Sequence, residues 1–539
     1  MNLKRFSKII PKVIKNIPTA LIIFFVSVHC LDAQDKNKKE PIVNNPATTV
    51  YNIMDFGAKG DGKTLDSPSI NKAIEEAAAK GGGTIYLPAG TYLSVSIRLK
   101  SNISLFLDQG ATILAASSSD TVKYDAPEPN IWGDSLQYQD FGHSHWHNSL
   151  IWGENIHDAS ILGTGMIWGK GLSRGTGGPG GSAGTGNKSI SLKWCHNITL
   201  RDISILQGGW FGILATGVDN LTIDNLKIDT NRDGMDIDCC ANVRILNCSV
   251  NSPSDDGICL KSSFGLGISR ATENVTITNC QVSGFEAGSL LDGTYKRSDQ
   301  IARGNGPTGR IKFGTESNGG FKNITISNCV FVYCRGLALE SVDGALLEDV
   351  TISNITMRDI VNAPIFLRLG ERMRGPKEAP VGKLRRVLIS NITVYNADPK
   401  NGCIICGDQG QDIEDIRLSN IRIYYNGGGT LEQAAREVPG FEKEYPEPYR
   451  FGTMPSYGFY VRHVKDIQFN NIEVTSLKDD QRPAFILDDV KGVEFNFVKA
   501  SKTGNVPLLI LKNVKSLNLF RSLSMTDKNL DFAENEKFQ

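Results

Sequence analysis

Short stretches of alternating apolar and polar residues, each interrupted by asparagine, recur along most of the chain. They lie at 196–206, 219–228, 241–250, 273–282, 322–331, 348–357, 385–394, 414–423 and 465–474. Alternation with a period of two predicts strands that bury one face. The steps from Asn197 to Asn220 and from Asn220 to Asn242 are 23 and 22 residues, and no helical pattern separates these strands. This period predicts an all-β solenoid whose parallel strands stack about 4.8 Å apart from coil to coil.

One helix is predicted near the start of the solenoid, over Ser67 to Lys80. Asp66 or Ser67 provides an N-cap, Pro68 suits the first turn, and Gly81 follows the last turn. Because a solenoid must cover its first and last coils, we expect this helix to lie over the first coil. Its apolar residues share one face: Ile70, Ala73, Ile74 and Ala77.

The N-terminal residues indicate a targeting segment. A basic start precedes a short apolar run at 20–28, and Ala33 offers a small residue for cleavage. We expect an exported protein, periplasmic or secreted, and anchoring as a lipoprotein through Cys30 is the less favoured alternative. The predicted organisation is a signal peptide at 1–33, a flexible leader at 34–47, a β-helix domain at 48–520 and a C-terminal tail at 521–539.

Composition excludes some classes of partner. The 58 basic and 58 acidic residues leave no net charge, which argues against a nucleic-acid binder. The apolar run at 20–28 is too short to span a membrane. Cys248, Cys280 and Cys329 each follow an asparagine at the same point of the repeat, which favours a stack of inward free thiols over disulfides. We expect a monomer without bound nucleic acid or a membrane span.

Three aspartates stand out as candidate chemistry. Asp233 and Asp255 are 22 residues apart, one turn of the solenoid, and Asp256 adds a third carboxylate. Carboxylates crowded on neighbouring coils raise the pKa of at least one of them, which provides a proton donor beside a base. A gap of about 6.5–9.5 Å between two carboxyls leaves room for an attacking water. Turn residues and a calcium site are the alternatives.

The motifs around these aspartates resemble a known family. The stretches at 55–62 and 81–92 resemble the start of pectin-degrading β-helix enzymes. Asn231-Arg232-Asp233 and Asp255-Asp256-Gly257 narrow the resemblance to glycoside hydrolase family 28, the polygalacturonase family, as a divergent bacterial member. The resemblance implies a right-handed, single-stranded, pectin-lyase-like parallel β-helix at 48–520 that cleaves with inversion. It also implies that Asp255 is the general acid and that Asp233 and Asp256 orient the water.

The residues that would recognise the sugar depart from the family pattern. The family's histidine position falls at Gly284-Phe285-Glu286, and its basic pair falls where this chain has Ala338 and Glu340. Arg310 and Lys312 look like that pair but lie one coil early. In the family the pair binds a galacturonate carboxylate, so the residues that recognise the sugar differ here.

Seven residues are predicted to contact the substrate. Arg310 and Lys312 could hold an acidic sugar or be solvated, and His145 and His147 on a strand could line a sugar subsite, bind a metal or be structural. The full predicted set is Asn231, Lys261, Arg310, Lys312, His145, His147 and Glu340.

The predicted function is that of a secreted, inverting glycoside hydrolase. Its substrate is an acidic polysaccharide that contains uronic acid or rhamnose, as pectin does, or an oligosaccharide derived from it. A β-helix polysaccharide lyase and a non-catalytic carbohydrate-binding solenoid are the alternatives. No cofactor or metal is expected.

Overall fold

The computed structural model describes residues 49–133, 138, 140–175, 184–298 and 306–539. The predicted signal peptide and flexible leader lie outside these residues. The described chain is a right-handed parallel β-helix, as predicted, in which each strand pairs in parallel with the equivalent strand of the next coil. Within this described part, no helix has the length and apolar character that crossing a membrane requires.

The strands follow one another with short turns along the chain. The first twelve are β1 Val50–Asn52, β2 Asp61–Leu65, β3 Gly83–Leu87, β4 Gly90–Ser94, β5 Ile97–Arg98, β6 Ile103–Leu107, β7 Ala111–Ala115, β8 Ile151–Glu154, β9 His157–Leu162, β10 Met166–Trp168, β11 Lys188–Lys193 and β12 His196–Arg201. The middle twelve are β13 Ser204–Leu206, β14 Phe211–Thr216, β15 Asp219–Asp224, β16 Lys227–Asp229, β17 Asp233–Asp238, β18 Ala241–Leu246, β19 Ser249–Asn251, β20 Ile258–Ser262, β21 Thr272–Thr278, β22 Gln281–Ser283, β23 Ile311–Ser317 and β24 Phe321–Ser327. The last twelve are β25 Val330–Val332, β26 Leu337–Ser341, β27 Leu346–Arg358, β28 Ile365–Leu369, β29 Lys383–Ala397, β30 Cys403–Cys406, β31 Ile413–Tyr425, β32 Phe459–Ser476, β33 Phe485–Asn496, β34 Lys499–Ala500, β35 Leu509–Phe520 and β36 Lys528–Phe538.

Inward side chains stack from coil to coil and form the core. One such column runs through Ile213, Met235, Ile258 and Ile311, all of them buried. The ten cysteines of the described chain are buried and free. This agrees with the inward free thiols that the repeat predicts at Cys248, Cys280 and Cys329. A single coil cannot bury its inward side chains alone. Stacked coils bury these side chains against one another, so neighbouring coils stabilise one another.

Asparagines form a hydrogen-bonded ladder at the bends. Asn354, Asn391, Asn420 and Asn471 each donate Nδ2–H to the Oδ1 of the asparagine one coil earlier, at 2.9–3.1 Å. All four have φ between 53° and 58°, in the left-handed region. Asparagine tolerates that conformation better than most residues, which explains its recurrence at this point of the repeat.

Helices are few and short within the described residues. The predicted capping helix is present as α1, Ser67–Ala79, and its buried face carries the four predicted apolar residues. The Asp66 carboxylate does not cap this helix but accepts hydrogen bonds from the backbone of Lys59 and Gly60, at 2.7 and 3.1 Å. In the part of the chain that the structure describes, the remaining helices are α2, Leu431–Ala434, and the 3-10 helices Ile53–Phe56, Phe141–His143 and Pro448–Phe451.

The end of the chain also forms part of the sheet. Within the predicted tail, β36 pairs antiparallel with β35, the strand of the last coil. The described solenoid therefore has a helix over its first coil and an antiparallel strand along the edge of its last coil.

Candidate active site

The parallel stacking of two coils brings the three aspartates together. Asp233 begins β17, while Asp255 and Asp256 lie just before β20, and Met235 of β17 pairs with Ile258 of β20. One carboxylate oxygen from each aspartate lies within 4.8 Å of the others. The spacing of one coil thus produces the cluster that the sequence predicts. The oxygens are closer than the gap of about 6.5–9.5 Å that we expected for inversion.

The aspartates experience opposite electrostatic surroundings. Burial, followed by the negative charges of Asp255 and Asp236, raises the pKa of Asp233 well above its usual range. Burial also acts to raise the pKa of Asp256, but Arg310, Lys312 and Lys261 outweigh it and lower that pKa. Asp256 therefore stays ionised under conditions in which Asp233 holds a proton.

Arg232, to which the sequence analysis assigned no role, lies close to both Asp233 and Asp255. The Nε of Arg232 is 3.6 Å from Oδ2 of Asp233 and 3.5 Å from Oδ2 of Asp255. Its guanidinium stacks on the ring of Trp210, at 4.4 Å from the centroid. The sequence offered no clear signal for this contact, because neighbouring residues of an extended chain usually point their side chains to opposite faces.

Asn231 lies at the edge of a neighbouring cavity. Its backbone oxygen accepts a hydrogen bond from Nη2 of Arg174 at 2.9 Å. Together with Ser254 and Glu286 it lines a cavity of about 260 Å³. Its predicted contact with substrate stays a prediction.

Arg310 and Lys312 lie on the coil next to the aspartates, as predicted. Nε of Arg310 is 2.8 Å from Oδ1 of Asp256, and Nζ of Lys312 is 3.4 Å from its Oδ2. Both cations are only 1% exposed, so they are not solvated side chains. They hold Asp256 in its ionised form and also make it a poor candidate for binding a metal ion, because its charge is already neutralised.

Glu340 lies close to Lys312 and is fully buried. Its Oε2 is 3.5 Å from Nζ of Lys312, and burial, with further contributions from Glu447 and Asp256, raises its pKa to about 7. Neither of its oxygens has a hydrogen-bond partner within the described residues. Its predicted contact with substrate stays a prediction, although its side chain has no exposed surface here.

Lys261 belongs to a second buried network. Its Nζ lies 2.7 Å from Oε2 of Glu316 and 3.9 Å from Oδ2 of Asp236. The Nε2 of His143 lies 2.9 Å from the same oxygen of Asp236. This network borders Asp233 through the charge of Asp236. The sequence analysis missed Asp236, because a spacing of three residues along a strand normally places two side chains on opposite faces.

The histidine segment differs from its prediction. Residues Phe141–His143 form a 3-10 helix and the following residues are irregular, so His145 and His147 do not share the face of a strand. His145 contacts the backbone oxygen of Phe141 at 3.0 Å, and Nε2 of His147 lies 2.8 Å from Oε2 of Glu154. The prediction of a strand was wrong because alternating residue types can also occur in an irregular segment that side-chain contacts hold in place. His143 is the histidine that joins the charged network.

A long insertion at 426–458, between β31 and β32, covers the cations. Its Glu447 accepts from Nη2 of Arg310 at 2.5 Å and from Nη1 of Arg335 at 3.1 Å. The hydroxyl of its Tyr445 is 3.3 Å from Nζ of Lys312. The sequence analysis missed both residues, because a contact made by an insertion several coils away leaves no spacing signal.

Comparisons with known proteins agree with this fold. A family model described as rhamnogalacturonase A/epimerase, pectate lyase-like matches residues 50–139, and one described as right handed beta helix region matches 182–305. A probable polygalacturonase of Vitis vinifera is 27% identical over 387 residues, which covers 64% of this chain and 74% of that protein.

Two solved structures share the architecture. The family 28 exopolygalacturonase of Yersinia enterocolitica has a TM-score of 0.61 and 19% identity, over 82% of this chain and 78% of that one. The hyperthermoactive exopolygalacturonase of Thermotoga maritima has a TM-score of 0.55 and 17% identity, over 91% of this chain and 95% of that one. At these identities the likeness establishes the shared right-handed parallel β-helix.

Proposed function

We propose that the protein is an exported glycoside hydrolase that cleaves a pectin-like polysaccharide or its oligosaccharides at Asp233, Asp255 and Asp256. The observation that carries the proposal is the clustering of three carboxylates within 4.8 Å, with opposite pKa shifts at Asp233 and Asp256. Perturbed carboxylates side by side are typical of acid–base sites. The similarity to a protein named a probable polygalacturonase supports the substrate class.

A proton held by Asp233 and passed to Asp255 would supply the acid. Burial, followed by the negative charges of Asp255 and Asp236, raises the pKa of Asp233, so this carboxyl retains its proton at a pH where an isolated aspartic acid has lost it. Asp255 is the more exposed of the two and is the proposed donor to the leaving glycosidic oxygen. With the proton on Asp255, the ionised Asp233 is the stronger base and accepts the proton of the attacking water.

Asp256 and Arg232 complete the proposed mechanism. Asp256 stays ionised and orients the water through its carboxylate oxygens. Arg232 lies 3.5–3.6 Å from both partners of the pair and compensates the charge that remains when Asp255 gives up its proton. We propose an inverting reaction on the strength of the family resemblance, since the short carboxylate separation does not itself indicate inversion.

The test is hydrolysis of pectic and other acidic glycans by the secreted protein, with Asp255→Asn beside it. We expect new reducing ends without absorbance near 235 nm, and a loss of about 10²–10⁴-fold in rate in the variant. Asp120→Asn, at an exposed aspartate, is the matched control and should keep full activity. Proton NMR of the first anomer formed checks inversion, and sequencing of the secreted chain should find Gln34 first.

Other outcomes would contradict the proposal in distinct ways. Absorbance near 235 nm would identify a lyase, because β-elimination leaves an unsaturated sugar. Glycan binding without products would identify a non-catalytic solenoid. First formation of the retained anomer would overturn inversion while leaving hydrolysis in place.

A further inference from the structure

All three guanidinium nitrogens of Arg310 are engaged by protein carboxylates. Its Nε donates to Oδ1 of Asp256 at 2.8 Å, Nη2 donates to Oε1 of Glu447 at 2.5 Å, and Nη1 donates to Oε2 of Glu447 at 3.4 Å. In this arrangement, two nitrogens of one guanidinium donate hydrogen bonds to the two oxygens of one carboxylate. Arginine commonly binds carboxylate ligands in the same way. Glu447 therefore occupies the face of Arg310 that an acidic sugar beside Asp256 would use.

The local structure holds Glu447 firmly in this place. It is 4% exposed, stands between Pro446 and Pro448, and immediately precedes the 3-10 helix Pro448–Phe451. A second arginine, Arg335, donates to its Oε2 at 3.1 Å. Burial would raise the pKa of Glu447, but Arg310, Arg335 and Lys312 outweigh it and lower that pKa, so the carboxylate is ionised at neutral pH.

The ammonium group of Lys312 is likewise engaged by other protein groups. Its Nζ lies 3.0 Å from Oγ1 of Thr315 and 3.3 Å from the hydroxyl of Tyr445, and its ammonium also faces Asp256 and Glu340. Like Arg310 it is 1% exposed. Neither Arg310 nor Lys312 therefore offers an exposed donor to a sugar carboxylate.

We propose that Glu447 determines specificity by replacing the substrate carboxylate, so that the sugar bound beside Asp256 is a neutral hexose or deoxyhexose of the pectin-like chain. This inference rests on the proposed function, because it names the sugar at the same site. A uronate in this position would face the carboxylates of Glu447 and Asp256. The neighbouring cations, Arg310 and Lys312, are already paired with protein carboxylates. Like charges brought together in this way discriminate against the acidic ligand.

The first test compares two ligands that differ only in their carboxylates. Calorimetry measures binding to the full chain carrying Asp255→Asn, using a trimer of galacturonate and the same trimer with each carboxylate reduced to an alcohol. We expect the reduced trimer to bind at least about tenfold more tightly, equivalent to about 1.4 kcal/mol. Tighter binding of the acidic trimer, or binding of neither trimer, would overturn the proposal.

The second test removes the charge of Glu447. In Glu447→Gln we expect affinity for the acidic trimer to rise about tenfold, since charge-assisted contacts to Arg310 become available. Binding of the reduced trimer should not change. Glu444→Gln, at an exposed glutamate of the same insertion, is the matched control and should leave the ratio of the two affinities unaltered. An unaltered ratio in Glu447→Gln would contradict the assignment.

The two proposals fail separately. If Glu447→Gln does not fold, Glu447→Ala is the second variant, and the comparison of trimers with Glu447 in place does not depend on either. Hydrolysis of a uronate linkage by the unaltered protein would leave the glycosidase standing and overturn the role of Glu447. If no glycan is hydrolysed but the affinities shift as expected, the role of Glu447 would stand and the proposed glycosidase activity would be overturned.

Discussion

Asp233 and Asp256 belong to neighbouring coils, yet their charges have opposite consequences for stability. The ionised form of Asp233 is disfavoured by burial, Asp255 and Asp236, so the folded protein is penalised when this group loses its proton. The ionised form of Asp256 is favoured by Arg310 and Lys312 in spite of burial. A buried charge without enough compensation is tolerated mainly at functional sites.

Asp233→Asn should therefore stabilise the protein at neutral pH. The substitution removes the unfavourable charge, and we expect the melting temperature at pH 7.5 to rise by about 2 °C or more, while activity is lost. A carboxyl whose pKa is raised in the folded state costs stability above its unfolded pKa, and that cost disappears as the pH falls. The gain should thus shrink at pH 4.5, as melting curves at both pH values would show. An equal gain at both pH values would contradict this account.

Asp256→Asn should have the opposite effect. It leaves Arg310 and Lys312 buried without their shared carboxylate, and loss of one partner of a buried ion pair costs about 3–5 kcal/mol. Because the pKa of Asp256 is lowered, its stabilising contribution is present above the unfolded pKa and is lost as the pH falls through the folded pKa. The melting temperature of this variant should lie well below that of the unaltered protein at pH 7.5. A shift in the same direction as that of Asp233→Asn would refute the assignment of charges.

Sequence reasoning reached those site residues whose position follows from the repeat. Asp233 and Asp255 are one coil apart, and the pairing of β20 with β23 places Arg310 beside Asp256. Glu447 could not be found in this way, because its insertion leaves the solenoid between β31 and β32 and returns to much earlier coils. Contacts of this kind depend on the path of a loop, which the period of the strands does not determine.

At the scale of the element, one bend repeats with the same chemistry in the coils from Asn328 to Asn471. The asparagine at that bend combines a left-handed backbone with a side chain that bonds to its equivalents above and below. Asparagine recurs at this point of the sequence because it suits both requirements. Strand positions were predictable for the same reason, whereas the segment at 141–147 was not, because it lacks a repeat.

Asn391 allows the two contributions to be separated. Asn391→Ala loses both ladder bonds and places a Cβ-bearing residue of low left-handed preference at φ 56°, which costs about 1–2 kcal/mol for the conformation alone. Asn391→Gly loses the same bonds without that cost. We expect the alanine variant to melt at the lower temperature, with Thr393→Ala, at an exposed position of the same strand, near the unaltered value. Equal melting of the glycine and alanine variants would show that the backbone conformation is not limiting.

At the scale of the whole molecule, a stack of parallel coils must end without leaving an open strand edge. Helix α1 covers the first coil, and β36 pairs along the last strand, β35. Ala533 is the only fully buried residue of β36, which explains why its sequence looked like a solvated tail. Its many charges suit a strand that forms the outer edge, since charged edge strands resist pairing with other chains.

Removal of β36 should expose that edge. A chain ending at Asp527 would present the unpaired backbone groups of β35, and we expect dimers or larger assemblies that light scattering after size exclusion would detect. Ala533→Asp should act in the same direction by placing a charge at the buried position of β36, while Glu534→Gln, at an exposed neighbour, should keep the assembly state of the unaltered protein. A shortened chain that keeps the assembly state and the melting temperature of the unaltered protein would mean that β35 closes the solenoid without help. Association would instead show that the strand covers the edge through which the last coil would otherwise pair with another molecule.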